Sequence, residues 1–281
     1  MLKINLPIPF WKMSGAGNDF ILIDHRKPLV AREMMPEFAR RVCRRKFSVG
    51  ADGLFFLEPS EHADFKWRFF NADGSEGEMC GNGARCVARF AYMHGMASAR
   101  MRIETLAGII EASVADTLVT IKMTHPHSFH FDRQIEVAGE LFMVHSVNTG
   151  VPHAVIFVDD IDRTDVPGLG RQLRNHPVFA PAGTNVDFIG HCADGLKIRT
   201  YERGVEDETL ACGTGAVAAA LVAAAKGMAD SPVSLTTAGG DELTVQFTAP
   251  NSADPETGQV LLKGPTRLVF KGELTSEALL P

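Results

Sequence analysis

The chain has no excess of basic charge: 28 lysines and arginines stand against 34 aspartates and glutamates, a formal net charge of −6. That balance excludes a broad nucleic-acid surface. The one dense basic run, RRVCRRK at residues 40–46, falls in a helix-like stretch and reads as a solvated helix face. Long hydrophobic runs are missing too. The longest, AVAAALVAAA at residues 216–225, is too short and alanine-rich to span a bilayer, so it belongs in a core and no membrane partner is expected. MLKINLPIPFWKM, at the N-terminus, lacks a basic-then-apolar order and a small-residue cleavage site, and is read as mature sequence. The five cysteines, Cys43, Cys80, Cys86, Cys192 and Cys212, show no disulfide-framework spacing, which points to reduced thiols and a cytoplasmic setting. Neither a full Gly-x-Gly-x-x-Gly pattern nor a Gly-Lys-Ser/Thr loop occurs; GAGND at residues 15–19 is only a fragment of the first.

What is present is ordinary globular material, 45% hydrophobic and 22% charged, in a chain of 281 residues. One short frame occurs twice. EMCGNGARC (residues 78–86) and LACGTGAVA (residues 210–218) share Cys-Gly-x-Gly-Ala, with Cys80 and Cys212 separated by 132 residues. A repeat at half the chain length indicates a duplicated domain rather than a solenoid. Each frame follows a strand-like run and an acidic turn, FKWRFFN in the first half and LKIRTYER in the second. Further upstream, GNDFILID echoes TNVDFIG.

A helix is expected after each frame. In the first, Ala84, Val87, Ala88, Ala91 and Tyr92 recur at helical spacing with Arg85 and Arg89 on another side, and Gly95 supplies the stop, so this helix reads as amphipathic. The second is apolar all round until Lys226, as suits a helix enclosed by sheet. With short alternating strands around both, the fold class is α+β. It comprises two homologous domains, each a curved, mainly antiparallel sheet wrapped on a central helix. The domain boundaries are 1–123 and 124–264, with a C-terminal segment, 265–281, returning to the first domain. THPHSFHFDRQ (residues 124–134) reads as the polar linker between them, because His125, His127 and His130 have no cysteine or carboxylate at ligand spacing; no metal is expected.

A cysteine before Gly-x-Gly at a helix start lies under unpaired amides and the positive end of the helix dipole, both of which favour thiolate. The glycines admit a ligand close to the backbone, and the same amides suit a carboxylate. Two such motifs can supply a base, an acid and a shared carboxylate site. That set fits removal of an amino acid's α-proton from one face and return of a proton to the other, without a cofactor. The remaining thiols, Cys43, Cys86 and Cys192, read as packing or surface residues.

MSGAGNDFILID, GADGLFF, FFNADGSEGEMCGNGARC, NTGVPHAVIFV, GTNVDFI and YERGVEDETLACGTGA, in that order from Met13 to Ala218, resemble diaminopimelate epimerase. The resemblance implies a cofactor-independent isomerase that converts LL-2,6-diaminoheptanedioate to the meso form on the lysine and peptidoglycan pathway. Its site lies in the interdomain cleft of a homodimer. It implies further that Cys80 and Cys212 are the acid/base thiols and that amides of Gly81, Asn82, Gly213 and Thr214 hold the reacting carboxylate. Asn18, Asn71, Asn148, Asn185, Glu202 and Arg203 match substrate-recognising positions, and His153 and Glu202 match positions associated with proton handling. Taken on their own residues, Arg203 offers a fork to a carboxylate and Glu202 an acceptor to an ammonium, while the two could equally form a surface ion pair. Two departures from the family pattern stand out: the loop after Arg203 is one residue longer and more acidic, and Gly53 replaces an occasional glutamine. The rival readings are a racemase of another amino acid on the same fold and a thiol redox or binding protein.

Overall fold

The computed structural model describes residues 4–192, 195–248 and 258–280. The chain divides into two compact units, residues 1–121 with 265–281 and residues 122–264. In the first, strands form wherever alternating apolar side chains can bury a face: β1 (Ile8–Gly15), β2 (Asn18–Asp24), β3 (Gly53–Glu58), β4 (Phe65–Asn71) and β5 (Glu76–Gly77), with helix α1 (Met35–Val42) between β2 and β3. Helix α2 (Gly81–Met93) follows, then β6 (Arg100–Thr105), β7 (Gly108–Ala115) and β8 (Leu118–Lys122). Here β2–β3 and β4–β6 pair in parallel, and a helix lies in each of those connections, as a parallel crossover requires. The other pairings, β1–β2, β3–β4, β4–β5, β6–β7 and β7–β8, are antiparallel.

The second unit repeats this order. It comprises β9 (His127–Val137), β10 (Glu140–Asn148), β11 (Pro152–Phe157), α3 (Val166–Arg174), β12 (Asn185–Cys192), β13 (Gly195–Glu202), β14 (Asp207–Thr209), α4 (Gly213–Ala225), β15 (Val233–Thr236), β16 (Glu242–Phe247) and β17 (Val260–Pro265). Here β11–β12 and β13–β15 are the parallel pairs. The last strand, β18 (Arg267–Leu274), returns to pair antiparallel with β1, just as β9 pairs with β10. Each unit is therefore an α+β domain with a mainly antiparallel sheet. Among the described residues no helix is long and apolar enough to cross a membrane.

Strand alternation sends odd and even positions to different helices. Ile21, Ile23, Leu54 and Phe56 pack with Phe38, Ala39 and Val42 of α1, leaving Phe20 and Phe55 on the other face, where α2 lies against β1, β2 and β7. Likewise Ala154, Ile156, Val186, Phe188 and Tyr201 pack with Val166 and Leu173 of α3. His153, Asn185, Asp187, Thr200 and Glu202, one position out of phase, fall on the face of α4.

Several sequence expectations need correction. Residues 127–134 are not a linker: they begin β9, held by an eleven-residue strand pairing with β10, while His125, His127 and His130 each bond through Nδ1 to Pro126 O, Ser128 Oγ and Ser128 O. The echo between GNDFILID and TNVDFIG pairs the wrong strands. β2 has the neighbours of β11, whereas β12 has those of β3. Short Asn-bearing apolar runs look alike whichever strand they form. Helix α2 buries Ala84, Val87, Ala88 and Ala91 as expected of an amphipathic helix, but two positions depart: Arg85 is fully buried, donating to Asn82 Oδ1 one turn back, and Tyr92 is exposed while Phe90 is buried. α2 stops at Met93 with His94 as its C-cap, and Gly95 follows at φ 63°, the stop signal expected. α4 is buried on nearly every side. The basic run is likewise not one helix face, since α1 stops at Val42 and Arg45 beyond it grips Asp19 and Asp52.

Candidate functional site

In the first unit Cys80 is the N-cap of α2, in extended backbone conformation, and its sulfur accepts from the amide of Gly83 at 3.4 Å. The helix needs its second motif glycine for a close approach: a Cβ on Gly83 would stand 2.3 Å from the Phe55 ring. Phe55 stacks on Phe69 at 4.5 Å and meets Phe20 edge-on at 5.4 Å, so the strand face below this helix start is aromatic.

A polar chain runs beside it. Arg85 Nη2 donates to Asn82 Oδ1 (2.7 Å), Asn82 Nδ2 to Asn18 Oδ1 (2.6 Å), and Asn18 Nδ2 to Asp52 Oδ2 (3.1 Å). Arg45 bridges Asp19 and Asp52, and Lys12 pairs with Asp19 at 2.6 Å. Burial pushes the Asp19 carboxyl up, but the Arg45 and Lys12 bonds outweigh it and bring it down to about 2. Asn71 is exposed at the end of β4 and donates to Ser75 Oγ in the following turn.

The second unit has the same frame on a different bed. Cys212 caps α4, again in extended conformation, and a Cβ on Gly215 would stand 2.3 Å from Asp187 Oδ1. Asp187 accepts from His153 Nδ1 at 2.7 Å and from the Thr200 hydroxyl at 2.8 Å, and all three are buried. His153 Nε2 is 2.9 Å from Thr214 Oγ1, which is 3.4 Å from Cys212 Sγ. Thr149 fixes the same helix turn by donating to Thr214 O. Main-chain partners engage Asn185, which donates to Pro152 O and accepts from Arg203 N, and Asn148 accepts from Gly150 N in the β10–β11 turn.

Glu202 and Arg203 do not pair with each other. Arg203 Nη1 donates to Ala182 O, while Glu202 is pushed up by burial, with the Thr209 hydroxyl and His153 drawing it partly back. The acids of the longer loop have partners: Glu206 accepts from Arg174, and the two oxygens of Glu208 accept from Arg199 Nε and Nη2, each at 2.7 Å. Gly81 with Asn82, and Gly213 with Thr214, occupy the first turns of α2 and α4, where helix geometry directs amides out of the helix end.

The helix start favours thiolate at both motifs, but at Cys212 other effects outweigh it. Burial, then the Glu202 and Asp187 carboxylates, push this thiol well up, and the Thr214 hydroxyl and Gly215 amide recover only part. A helix end acts from one side of a thiol; desolvation acts all round. Cys43 and Cys86, expected to be packing residues, are buried and pushed up to about 12 by burial.

Sequence reading missed Asp187 and Thr200. The signal was there: Asp187 interrupts an apolar strand at two-residue spacing from Asn185, which places both on one face.

The family model for diaminopimelate epimerase matches residues 10–129 and 145–263. A diaminopimelate epimerase of Aquifex aeolicus (strain VF5) is 44% identical over 282 residues, covering 96% of this chain and 99% of that one. One of Archaeoglobus fulgidus (strain ATCC 49558 / DSM 4304 / JCM 9628 / NBRC 100126 / VC-16) is 46% identical over 249 residues, covering 83% and 87%. Among solved structures, a Bacillus anthracis phenazine biosynthesis protein of the PhzF family superposes with a TM-score of 0.72 at 17% identity, covering 96% of this chain and all of that one. A hydroxyproline epimerase from Agrobacterium vitis superposes with a TM-score of 0.67 at 18% identity, covering 99% and 94%. These two likenesses concern the fold.

Proposed function

The chain belongs to the diaminopimelate epimerase family, and from that premise we infer that it converts LL-2,6-diaminoheptanedioate to the meso form, in lysine biosynthesis, by cofactor-independent two-thiol chemistry. The observation that carries this reading is the doubled frame: two cysteines, each the N-cap of a thirteen-residue helix, with a glycine pair behind each. One thiolate takes the α-proton, so that the C–H bond breaks, an S–H bond forms and the electron pair stays on the substrate. The other thiol gives its proton to the opposite face of the same carbon. Cys212, kept protonated by burial and two flanking carboxylates, is the donor when Cys80 is the base; the roles exchange in the reverse direction.

First-turn amides at Gly81, Asn82, Gly213 and Thr214 stabilise the charge that develops on the substrate carboxylate. Arg203 takes the distal carboxylate and Glu202 the distal ammonium, with Asn18, Asn71, Asn148 and Asn185 shaping the rest of the amino-acid site. His153 and Glu202 assist proton handling. Family membership alone supports a cytoplasmic homodimer.

The test is α-proton exchange in D2O, followed by NMR, with reduced protein, LL-diaminopimelate and a panel of other amino acids. Exchange with inversion confined to diaminopimelate is expected. Exchange only on another amino acid would overturn the substrate and keep the chemistry, and no exchange on any would overturn both.

A further inference from the structure

Strand pairing makes His153, Asp187 and Thr200 the equivalents of Phe20, Phe55 and Phe69. Phe20 pairs with Gly53 as His153 pairs with Asn185, and Phe55 pairs with Phe69 as Asp187 pairs with Thr200. The fold is satisfied by three phenylalanines at these positions in one unit. A buried carboxylate, imidazole and hydroxyl at the same places in the other have another purpose, since burying polar groups costs free energy that aromatic packing does not.

We propose, on the two-thiol reading above, that Asp187 is a positioning residue for proton transfer at Cys212, holding His153 so that its Nε2 receives the thiol proton through the Thr214 hydroxyl. The polarity of the chain is set from the far end. A carboxylate can only accept, so His153 Nδ1 carries the hydrogen towards Asp187 Oδ2, and Nε2 is left as the acceptor facing Thr214. Thr200 donates to the other carboxylate oxygen, which fixes the plane of the group. When Cys212 loses its proton, the S–H bond breaks and an O–H bond forms at Thr214. The hydroxyl's own hydrogen passes to Nε2, and the imidazolium so formed lies against Asp187. Nothing is oxidised or reduced. The charged and titratable groups facing this thiol are Asp187 from β12 and Glu202 from β13, with His153 of β11 lying beside both.

The decisive measurement is alkylation of Cys80 and Cys212 by iodoacetamide, each followed separately by peptide mass analysis from pH 6 to 10, in the full-length reduced protein. Asp187→Asn removes a carboxylate that pushes this thiol up and, with it, the brace that lets His153 take the thiol proton. The loss of the brace is expected to outweigh the loss of the charge, moving the Cys212 curve to higher pH by about one unit and leaving the Cys80 curve in place. The same variant is expected to lower kcat about 100-fold with KM little changed. A Cys212 curve moved to lower pH would show Asp187 acting only as a nearby negative charge, and an unmoved curve would show plain scaffolding; either result overturns the proposal. Thr214→Val and Thr214→Ser decide the matter should Asp187→Asn fail to fold: the valine variant is expected to shift the Cys212 curve upward and the serine variant to restore it, and identical curves would overturn the proposal. Alkylation needs no substrate, so failure of the epimerase reading would show separately, as absence of exchange on diaminopimelate with the alkylation shifts intact.

Discussion

The two units share strand order, pairing sense and helix placement, and differ in what lies under the cysteine. Below the start of α2 is an aromatic layer in which Phe55 stacks on Phe69 and Phe20 meets both edge-on; below the start of α4 is the hydrogen-bonded set of His153, Asp187 and Thr200. Backbone topology therefore determines where a thiol is presented, and the layer beneath determines how it handles a proton. The same Cys-Gly-x-Gly frame serves an apolar bed and a polar one because its second glycine leans on whatever β3 or β12 offers.

The strongest challenge to this comparison is to remove one thiol at a time. Cys80→Ala and Cys212→Ala are each expected to lower epimerisation by more than about 1000-fold, consistent with loss of an acid/base group, as read by NMR exchange with inversion. Full turnover in either variant would show that one unit suffices. Next come the glycines. Gly83→Ala drives a methyl into the Phe55 ring and Gly215→Ala drives one into the Asp187 carboxylate. Each is expected to cost about 1–3 kcal/mol by overpacking, seen as a lowered Tm. Only Gly215→Ala should also displace the alkylation curve of Cys212.

Charge separates the units more gently. Glu202 is raised by burial above its unfolded value, so its ionisation lowers stability as pH rises through the carboxylate range. Glu202→Gln should therefore raise Tm at pH 8, leave it unchanged at pH 4 and reduce turnover. Asp19 has the opposite sign. Its carboxyl is depressed to about 2. Its contribution is present above its unfolded value and lost as pH falls from about 4 towards 2. After allowance for partial exposure this amounts to about 1 kcal/mol or less, and Asp19→Asn should flatten that part of the acid unfolding curve.

Much of this was legible in the sequence, for identifiable reasons. A glycine pair behind a cysteine marks a helix start, so the helices after Cys80 and Cys212 and the all-round burial of the alanine-rich α4 follow from local pattern. Strand equivalence did not follow. Whether a run such as TNVDFIG matches β2 or β3 depends on its neighbours in the sheet, which are remote in sequence. Arg85 was misplaced because helical periodicity assigns a charge outward unless a partner is known, and Asn82, one turn back, is that partner. The state of Cys212 was not legible because the helix end is visible in the motif, whereas Glu202 and Asp187 come from two other strands.

The spacing between strand and cysteine has a consequence for how such a chain can change length. From Phe55 to Cys80 and from Asp187 to Cys212 the count is the same, yet the route differs: the segment leading from Asp187 to its partner Thr200 is one residue shorter than that from Phe55 to Phe69, and the following turn is one residue longer. A deletion in one hairpin is cancelled by an insertion in the next. Between the two units the lengths of hairpin and turn differ while their sum does not, so a designer wishing to graft a longer recognition loop after Arg203 would shorten the preceding hairpin to match.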